Sequence, residues 1–253
     1  GAFQDIDLAS AFDAVSKFSQ TVLSTSNHSE LVSLAMKNAL VEQDVAHLIF
    51  PDDMQTNPSD KPASTPEGRM GRAVVKPSDE DVVDALALLN KAERPILVVG
   101  HGAWDHIEAI TKLAVDLGAP VLTTFKGKGL IADDHPNAAG VLGRSGTPIA
   151  SWFMNEADMI LTLGTSFSNH TGIERGKTII QVDYERMQLG KFHPVTLPIW
   201  AEIGAFCEGI APLINRPADA VDQVSELAER WQMWRDEKRT RLSEEGSKGI
   251  HSA

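Results

Sequence analysis

Residues 94–129 read RPILVVGHGAWDHIEAITKLAVDLGAPVLTTFKGKG, and this stretch predicts a complete strand–helix–strand unit. Residues 96–99 form an unbroken apolar run that stops at Gly100, as a buried parallel strand does. Over residues 104–117 the apolar side chains recur at intervals of three and four, so they lie on one face of a helix. These apolar positions are Ile107, Ile110, Leu113, Ala114 and Leu117.

The alternation of strand and helix continues on both sides of this unit. Gly118 ends the helix, and residues 120–123 form the next strand. An earlier helix is predicted to begin after Ser78, which is a suitable N-cap residue. The carboxylates at residues 79–81 would lie in its first turn, where the helix dipole favours negative charge. Later strands are predicted at 159–163, 178–182 and 197–200, with helices at 147–155 and 202–214. Right-handed crossovers then give an α/β fold, a doubly wound, mostly parallel six-stranded Rossmann-like sheet.

The segments outside this core have a different character. Residues 1–55 contain one helix at about 29–42 and one strand at 45–50, which is an incomplete N-terminal α/β segment. We expect its strand to lack a sheet of its own, and the segment to be poorly ordered or held by a neighbouring molecule. Residues 56–78 are rich in proline and polar side chains and read as a linker.

This division leaves residues 79–214 as a central domain and residues 215–253 as a C-terminal helix and linker. The C-terminal helix carries an apolar stripe that needs a partner, and we expect disorder after Glu245. The stripe consists of Val221, Val224, Leu227, Ala228, Trp231 and Trp234.

Composition excludes several classes of protein. A net charge of -12 argues against nucleic-acid binding and against attachment to anionic lipid. No apolar run is long enough for a membrane span. The single cysteine, Cys207, cannot form an internal disulfide or a multi-thiolate metal site. We therefore expect a cytoplasmic protein without a membrane span.

Glycine-rich loops follow several of the predicted strands. Because the carboxyl ends of parallel strands share one edge of a sheet, these loops could together receive a nucleotide, with backbone N–H groups and lysines facing its phosphates. Each loop also has a simpler explanation, since glycine suits tight turns and lysine suits a solvated loop. The candidate positions in these loops are Gly100, His101, Gly102, Phe125, Lys126, Gly127, Lys128, Gly140, Gly143, Gly164, Thr165 and Ser166.

Two carboxylates also follow predicted strands. Asp183 lies where an acid commonly accepts hydrogen bonds from ribose or adenine, and Glu202 follows the last strand in the same way. Either could instead cap a turn or the first turn of a helix. No arrangement of nucleophile, base or metal ligands stands out, so the residues indicate a nucleotide-binding platform without visible reaction chemistry.

Taken together, these motifs resemble those of the thiamine-diphosphate-dependent enzymes of the pyruvate oxidase and acetolactate synthase group. The resemblance covers most of residues 1–214. The motifs that carry it are Phe3-Gln4-Asp5, the segment from Ala39-Leu40 to Phe50-Pro51-Asp52-Asp53, Arg94 to Gly100, Phe125 to Gly129, Gly164-Thr165-Ser166, Gln181-Val182-Asp183 and Leu189 to His193.

The resemblance implies a fragment of a larger enzyme, in which residues 1–55 end the pyrimidine-binding domain. The family's catalytic glutamate and its Gly-Asp-Gly magnesium motif would then lie outside the printed sequence, so no residue of the fragment is assigned a catalytic or metal role. The parent would use thiamine diphosphate and Mg2+ to decarboxylate a pyruvate-like 2-oxoacid, as a homodimer or homotetramer. Phe3 and Gln4 would approach its active site.

For the central domain the resemblance implies FAD in the oxidase and synthase branches, ADP in some acyl-CoA relatives, and no nucleotide in others. Two functions therefore remain open from the sequence. The domain holds FAD or another nucleotide, or it is a structural spacer or scaffold whose nucleotide site is vestigial.

Overall fold

The computed structural model describes residues 6–58, 63, 65, 67–71, 74–166, 168, 171–174, 176–216 and 220–243. The chain divides into two compact units, residues 1–73 and 74–253. Within the described residues, no helix combines the length and the apolar character that crossing a membrane requires.

The first unit is a small α/β arrangement. Its elements are α1 (Leu8–Asp13), β1 (Phe18–Thr21), α2 (His28–Glu42), β2 (Ala46–Ile49) and α3 (Asp52–Gln55). Strands β1 and β2 pair in parallel. The predicted helix and strand are thus confirmed, but the expectation that the strand lacks a sheet is wrong. The FSQT sequence of β1 is short and has one apolar side chain, which is too little pattern to predict a strand.

Few side chains of the first unit are buried. Among its described residues, Val22 and Ala35 form the buried apolar set, whereas Met36 and Leu40 are each more than half exposed. A two-stranded sheet covered by one long helix has too little interior to enclose its apolar residues.

The second unit contains the predicted doubly wound sheet. Its elements are α4 (Asp79–Lys91), β3 (Pro95–Val99), α5 (Ile107–Leu117), β4 (Val121–Thr123), β5 (Ala138–Val141), α6 (Pro148–Glu156), β6 (Met159–Leu163), β7 (Thr178–Asp183), β8 (Leu197–Trp200), α7 (Ile203–Ile210) and α8 (Gln223–Ser243). The strand order is β5-β4-β3-β6-β7-β8, and every neighbouring pair is parallel. The chain reverses its direction of travel across the sheet between β3 and β6, which is where such folds bind ligands.

Helices cover both faces of this sheet. On one face α4, α5 and α7 pack against the strands through residues such as Leu89, Leu113 and Phe206. On the other face α6 and α8 pack through Phe153 and Leu227. The apolar stripe of the C-terminal helix therefore finds its partner in α6 and the sheet, and α8 is part of the second unit.

Strand β5 corrects one prediction. The glycine-rich sequence predicts that Gly140 and Gly143 lie in a loop, but Gly140 lies within β5 at the edge of the sheet. The register shifts there, and Gly140 has a φ of 89°. Its sequence, AAGV, has no periodic pattern, so the strand depends on pairing with β4 rather than on its own side chains.

Helix boundaries also differ in detail. The helix expected over 104–117 begins as a 3-10 helix, His101–His106, and becomes α5 at Ile107. The helix expected over 202–214 ends as α7 at Ile210 and continues as a 3-10 turn, Ala211–Leu213, that contains Pro212. Cys207 is buried in α7, and burial raises the pKa of its thiol to about 12, so it is a core residue.

Candidate functional site

The loops that follow the six parallel strands share one edge of the sheet, which we call the rim. It comprises residues 100–106, 124–128, 142–147, 164–166, 183–185 and 201–202. Gly100 follows β3 and Gly164 follows β6, and these two strands are neighbours at the centre of the sheet. The rim therefore brings the predicted glycine loops together, whereas Phe3 and Gln4 lie outside the described residues.

Close packing of two loops explains the central glycines. A methyl group added at Gly100 would lie 2.2 Å from the carbonyl oxygen of Gly164, and one added at Gly164 would lie 2.5 Å from the carbonyl carbon of Gly102. Gly164 also has a φ of 61°, which favours glycine. No larger residue fits at this crossing without moving backbone.

The backbone N–H groups of the central glycines are already bonded within the protein. Gly100 donates to the carbonyl of Leu163 at 2.9 Å, and Gly102 donates to that of Gly164 at 3.1 Å. Gly164 in turn donates to the carbonyl of Val182 at 3.0 Å. These three donors hold the loops together, so they do not face outward as a phosphate cradle.

The loop after β4 is a 3-10 turn, Phe125–Gly127, fixed by its own N-cap. The Gly127 N–H donates to the hydroxyl of Thr124 at 3.1 Å, and a methyl group at Gly127 would lie 2.6 Å from the carbonyl oxygen of Val99. Phe125 is about half exposed, and the neighbouring Lys126 is exposed.

The two lysines of this loop differ in their contacts. The Lys128 ammonium contacts both carboxylate oxygens of Asp133, at 2.5 and 2.6 Å. Lys126 forms neither an ion pair nor a hydrogen bond with any residue that the structure describes. Of the two, Lys126 is thus the one available to a ligand.

The loop after β5 is a tight turn built on glycine. The Gly146 N–H donates to the carbonyl of Gly143 at 2.9 Å, and a methyl group at Gly146 would lie 2.1 Å from the carbonyl oxygen of Val141. Gly143 has a φ of 139°, and between the two glycines Arg144 is exposed. Arg144 belongs to this predicted loop, but no pattern in the sequence marks it as a site residue.

A buried glutamine joins the loops after β6 and β7; it belongs to the Gln181-Val182-Asp183 motif quoted above but was not predicted as a site residue. The Gln181 amide donates to the carbonyl oxygens of Thr165 and Gln188, both at 3.0 Å, and its carbonyl accepts from the N–H of Gly190 at 2.8 Å. Thr165 itself is buried, and Ser166 is half-buried beside it. A polar side chain within the apolar run of β7 is the one sequence signal of this role.

Asp183 ends β7 and is almost completely buried. One of its carboxylate oxygens accepts the N–H of Glu185 at 2.8 Å, so it caps the turn. Burial raises the pKa of this carboxyl group, and the nearby charge of Glu185 acts in the same direction. Its second oxygen accepts no hydrogen bond from the described residues, which leaves one acceptor for a ligand.

Glu202 is placed differently from the glycine loops. Its carboxylate lies 3.3 Å from Nε2 of His106, and both residues line a cleft of about 850 Å3 beside α4, α5 and α7. His101, at the start of the same 3-10 helix as His106, is exposed with its ring 6.1 Å from that of Trp104. The structure therefore places the Glu202 carboxylate against His106 in this cleft.

The two halves of the rim differ in charge. On the β4–β5 side Lys126 and Arg144 are exposed cations. On the β7 side Asp183 offers a carboxylate oxygen, and the cation nearby, Arg186, stacks 3.5 Å above the ring of Trp200. Among the described residues, no group of three or more His, Cys, Asp or Glu is arranged to hold a metal ion. The rim thus carries exposed positive charge in the loops after β4 and β5 and a carboxylate at the end of β7.

Comparison with known proteins gives a family for this fold and site. The family model for the central domain of thiamine pyrophosphate enzymes matches residues 82–210 of the 253-residue chain. This range includes all six strands of the sheet in the second unit.

Three relatives illustrate the similarity. YdaP of Bacillus subtilis, which carries the provisional name thiamine pyrophosphate-containing protein, is 27% identical over 90% of this chain and 40% of its own length. Sulfoacetaldehyde acetyltransferase of Rhodobacter capsulatus is 27% identical over 98% of this chain and 44% of its own length. Acetolactate synthase isozyme 1 large subunit of Escherichia coli is 30% identical over 54% of this chain and 25% of its own length.

The chain thus spans less than half the length of these relatives. The chain belongs to the thiamine pyrophosphate enzyme family, and residues 82–210 are its central domain.

Proposed function

We propose that this chain is the central part of a thiamine-diphosphate-dependent enzyme of the pyruvate oxidase or acetolactate synthase type. The parent decarboxylates a pyruvate-like 2-oxoacid, and it acts in the cytoplasm as a homodimer or homotetramer. Support comes from the family model and from an acetolactate synthase among the relatives. In that enzyme thiamine diphosphate and Mg2+ would bind outside the central domain, as the family resemblance implies.

The role that we propose for the central domain is to bind FAD or another adenine nucleotide across the rim. One observation carries this proposal, namely the opposite charge of the two halves of the rim, with the exposed Lys126 on one side and the buried Asp183 on the other. Asp183 would accept a hydrogen bond from a ribose hydroxyl, and Lys126 would contact a phosphate. FAD, when bound, supplies an acceptor for electrons from the 2-oxoacid.

A second function is favoured by a different observation. The N–H groups of Gly100, Gly102 and Gly164 are bonded to protein carbonyls, and their lack of side chains is explained by loop packing alone. A domain of this kind can serve as a structural spacer with a vestigial nucleotide site. The two functions make opposite predictions about ligand binding by the purified chain.

Titration of the purified 253-residue chain with FAD separates these functions. The nucleotide function predicts saturable quenching of flavin fluorescence with one FAD per chain, and displacement by ADP. Asp183→Asn retains an oxygen for the Glu185 N–H but removes the charge, so it should weaken FAD binding without lowering the temperature of thermal unfolding. Binding of ADP without FAD would support a nucleotide site of the ADP kind. Binding of neither at high micromolar concentration would refute the nucleotide function and favour the spacer.

A further inference from the structure

Helix α8 has a second face, beside the one that packs on the sheet, on which charged residues surround a methionine. Its members recur at intervals of three and four, so they lie on one side of the helix. Met233 lies in the middle of this face and is 64% exposed. We call it the groove face, and it consists of Glu226, Arg230, Met233, Glu237 and Arg241.

The groove face borders an open groove between α6 and α8. Two adjoining cavities of about 260 and 210 Å3 lie there, and Trp234 and Glu237 line both of them. Pro148 and Trp152 form the wall on the α6 side. Trp152 and Trp234 are half-buried, so part of each ring faces solvent in the groove. An apolar groove with a charged border is typical of a surface that binds another protein segment.

The order of charges along α8 indicates which segment can lie in this groove. Residues 222–229 carry three carboxylates and no lysine or arginine, whereas residues 235–241 carry four cations and two carboxylates. The helix dipole favours such charges in the first and last turns, but it does not account for an exposed methionine beside an open groove. A second α8 that lies antiparallel to the first would set each acidic half against a basic half.

The match extends to individual positions on the groove face. In an antiparallel pair both helices rise by the same step per residue, so residues at equal distances from a two-fold axis face each other. An axis between Met233 and Trp234 places Met233 opposite Trp234 of the second copy. Arg230 precedes Met233 by three residues and Glu237 follows Trp234 by three, so the axis also sets Arg230 of each copy opposite Glu237 of the other.

Contacts within the single chain leave both of these charges available. The Arg230 guanidinium stacks 3.3 Å from the centre of the Trp152 ring, and its distance to the Glu226 carboxylate is 3.7 Å. Glu226 is held more closely by Arg94, at 2.5 Å. Glu237 is paired within its own helix by an exposed contact four residues away. Such exposed pairs are weak, so they can be exchanged for pairs between two copies at little cost.

We propose that the groove face of α8 binds the same face of a second copy of this chain, with the two helices antiparallel. The tryptophans and Met233 supply the attraction, and the two Arg230–Glu237 pairs set the orientation and the register. The inference concerns a protein surface and is independent of the proposed nucleotide function.

The size of the surface sets the expected affinity. Helix α8 has 21 residues, so it is about 31 Å long, and a strip about 10 Å wide buries about 300 Å2 on each copy. Stable complexes bury about 800 Å2 on each partner. The pair of helices should therefore associate weakly, with a Kd of about 0.1–1 mM.

The test is sedimentation equilibrium of the full 253-residue chain from about 10 μM to about 1 mM, where the unmodified chain should form a dimer. Glu237→Arg and Arg230→Glu each set like charges against each other, so each variant alone should associate at least about tenfold more weakly. A mixture of the two variants pairs opposite charges again at both positions. It should form a heterodimer with an affinity within about threefold of that of the unmodified chain.

Two further variants separate this surface from effects on folding. Met233→Glu alters a side chain that is exposed in the single chain, so it should remain folded, and it should weaken association at least about tenfold by placing two carboxylates at the axis. The matched control is Arg239→Glu, which makes the same change of charge on the opposite side of α8, where Arg239 pairs with Asp236 at 2.8 Å. It should leave association within about twofold. Circular dichroism establishes that each variant is folded.

Three results would overturn the inference. A chain that stays monomeric throughout this range of concentration would leave the groove to a different occupant. Association that Glu237→Arg and Met233→Glu do not change would assign the contact to another surface. A mixture of the two charge-reversed variants that associates no better than either alone would refute the antiparallel register. The titration with FAD is a separate measurement, so none of these results decides the nucleotide function.

Discussion

The crossing of the two central loops predicts a large loss of stability for Gly164→Ala. Alanine at a φ of 61° carries a backbone cost of about 1–2 kcal/mol. The added methyl group would also lie 2.5 Å from the carbonyl carbon of Gly102 and 2.6 Å from the N of Ala103, both of them backbone atoms. Forcing backbone apart in a packed interior costs about 1–3 kcal/mol more, so the expected total is about 2–5 kcal/mol.

Gly190 provides the matched control for this substitution. Its φ is 63°, nearly the same as that of Gly164, but a methyl group there would have its nearest contact at 3.9 Å, with the carbonyl oxygen of His193. Gly190→Ala should therefore carry only the backbone cost, about 1–2 kcal/mol. The difference between the two variants measures the steric conflict at the crossing alone.

Unfolding in urea, followed by tryptophan fluorescence, is the appropriate assay. All five tryptophans belong to residues 74–253, so the signal reports on the unit that contains the crossing. The free energies of unfolding extrapolated to zero urea give the two losses directly. In a thermal scan of the same variants, each kcal/mol should lower Tm by about 2–4 °C for a unit of this size. Equal losses in Gly164→Ala and Gly190→Ala would refute the reasoning, since the close approach of the two loops would then have no energetic consequence.

Three further predictions concern buried polar groups. Burial raises the pKa of the Asp183 carboxyl group above 3.8, so the folded state keeps this proton to a higher pH than the unfolded state does. The free energy of unfolding should therefore fall as the pH rises from about 3.8 through the folded pKa. Asp183→Asn should flatten this dependence in urea titrations, and a pH profile identical to that of the unmodified chain would contradict the prediction. Gln181→Leu leaves three backbone groups unpaired and should lower the free energy of unfolding by at least about 2 kcal/mol. The control, Gln188→Leu, loses only an exposed contact with Lys191 and should cost less than about 0.5 kcal/mol. Similar losses for the two variants in a denaturant titration would argue against the bridging role of Gln181. Trp231→Phe removes the 2.7 Å hydrogen bond from the indole to the carbonyl of Ala138, so it should cost about 1 kcal/mol of stability. The loss should appear in calorimetry as a lower Tm. An unchanged Tm would show that this bond does not help to hold α8 on the sheet.

Much of the central fold could be predicted because its signals are local. The apolar run before Gly100, the periodic stripe of α5 and the N-cap at Ser78 each specify an element within a few residues of sequence. Alternation of such elements then limits the topology to a parallel, doubly wound sheet.

Two strands escaped prediction because neither has a pattern of its own. Strand β1 reads FSQT and β5 reads AAGV, and each forms through pairing with a neighbour that is distant in sequence. The energy that orders these segments comes from cross-strand contacts, which no short window of sequence contains.

What the sequence by itself determined was therefore the set of strong elements, their order and the loops that meet at one edge. Only the tertiary structure decided what those loops do. It showed that Gly100 and Gly164 are glycines because two backbones cross, that Lys128 is neutralised by Asp133, and that Lys126 is not. These properties depend on contacts between backbone atoms that are far apart in the sequence and on which charged side chains form ion pairs in the folded state. They therefore follow from tertiary packing and not from local sequence pattern.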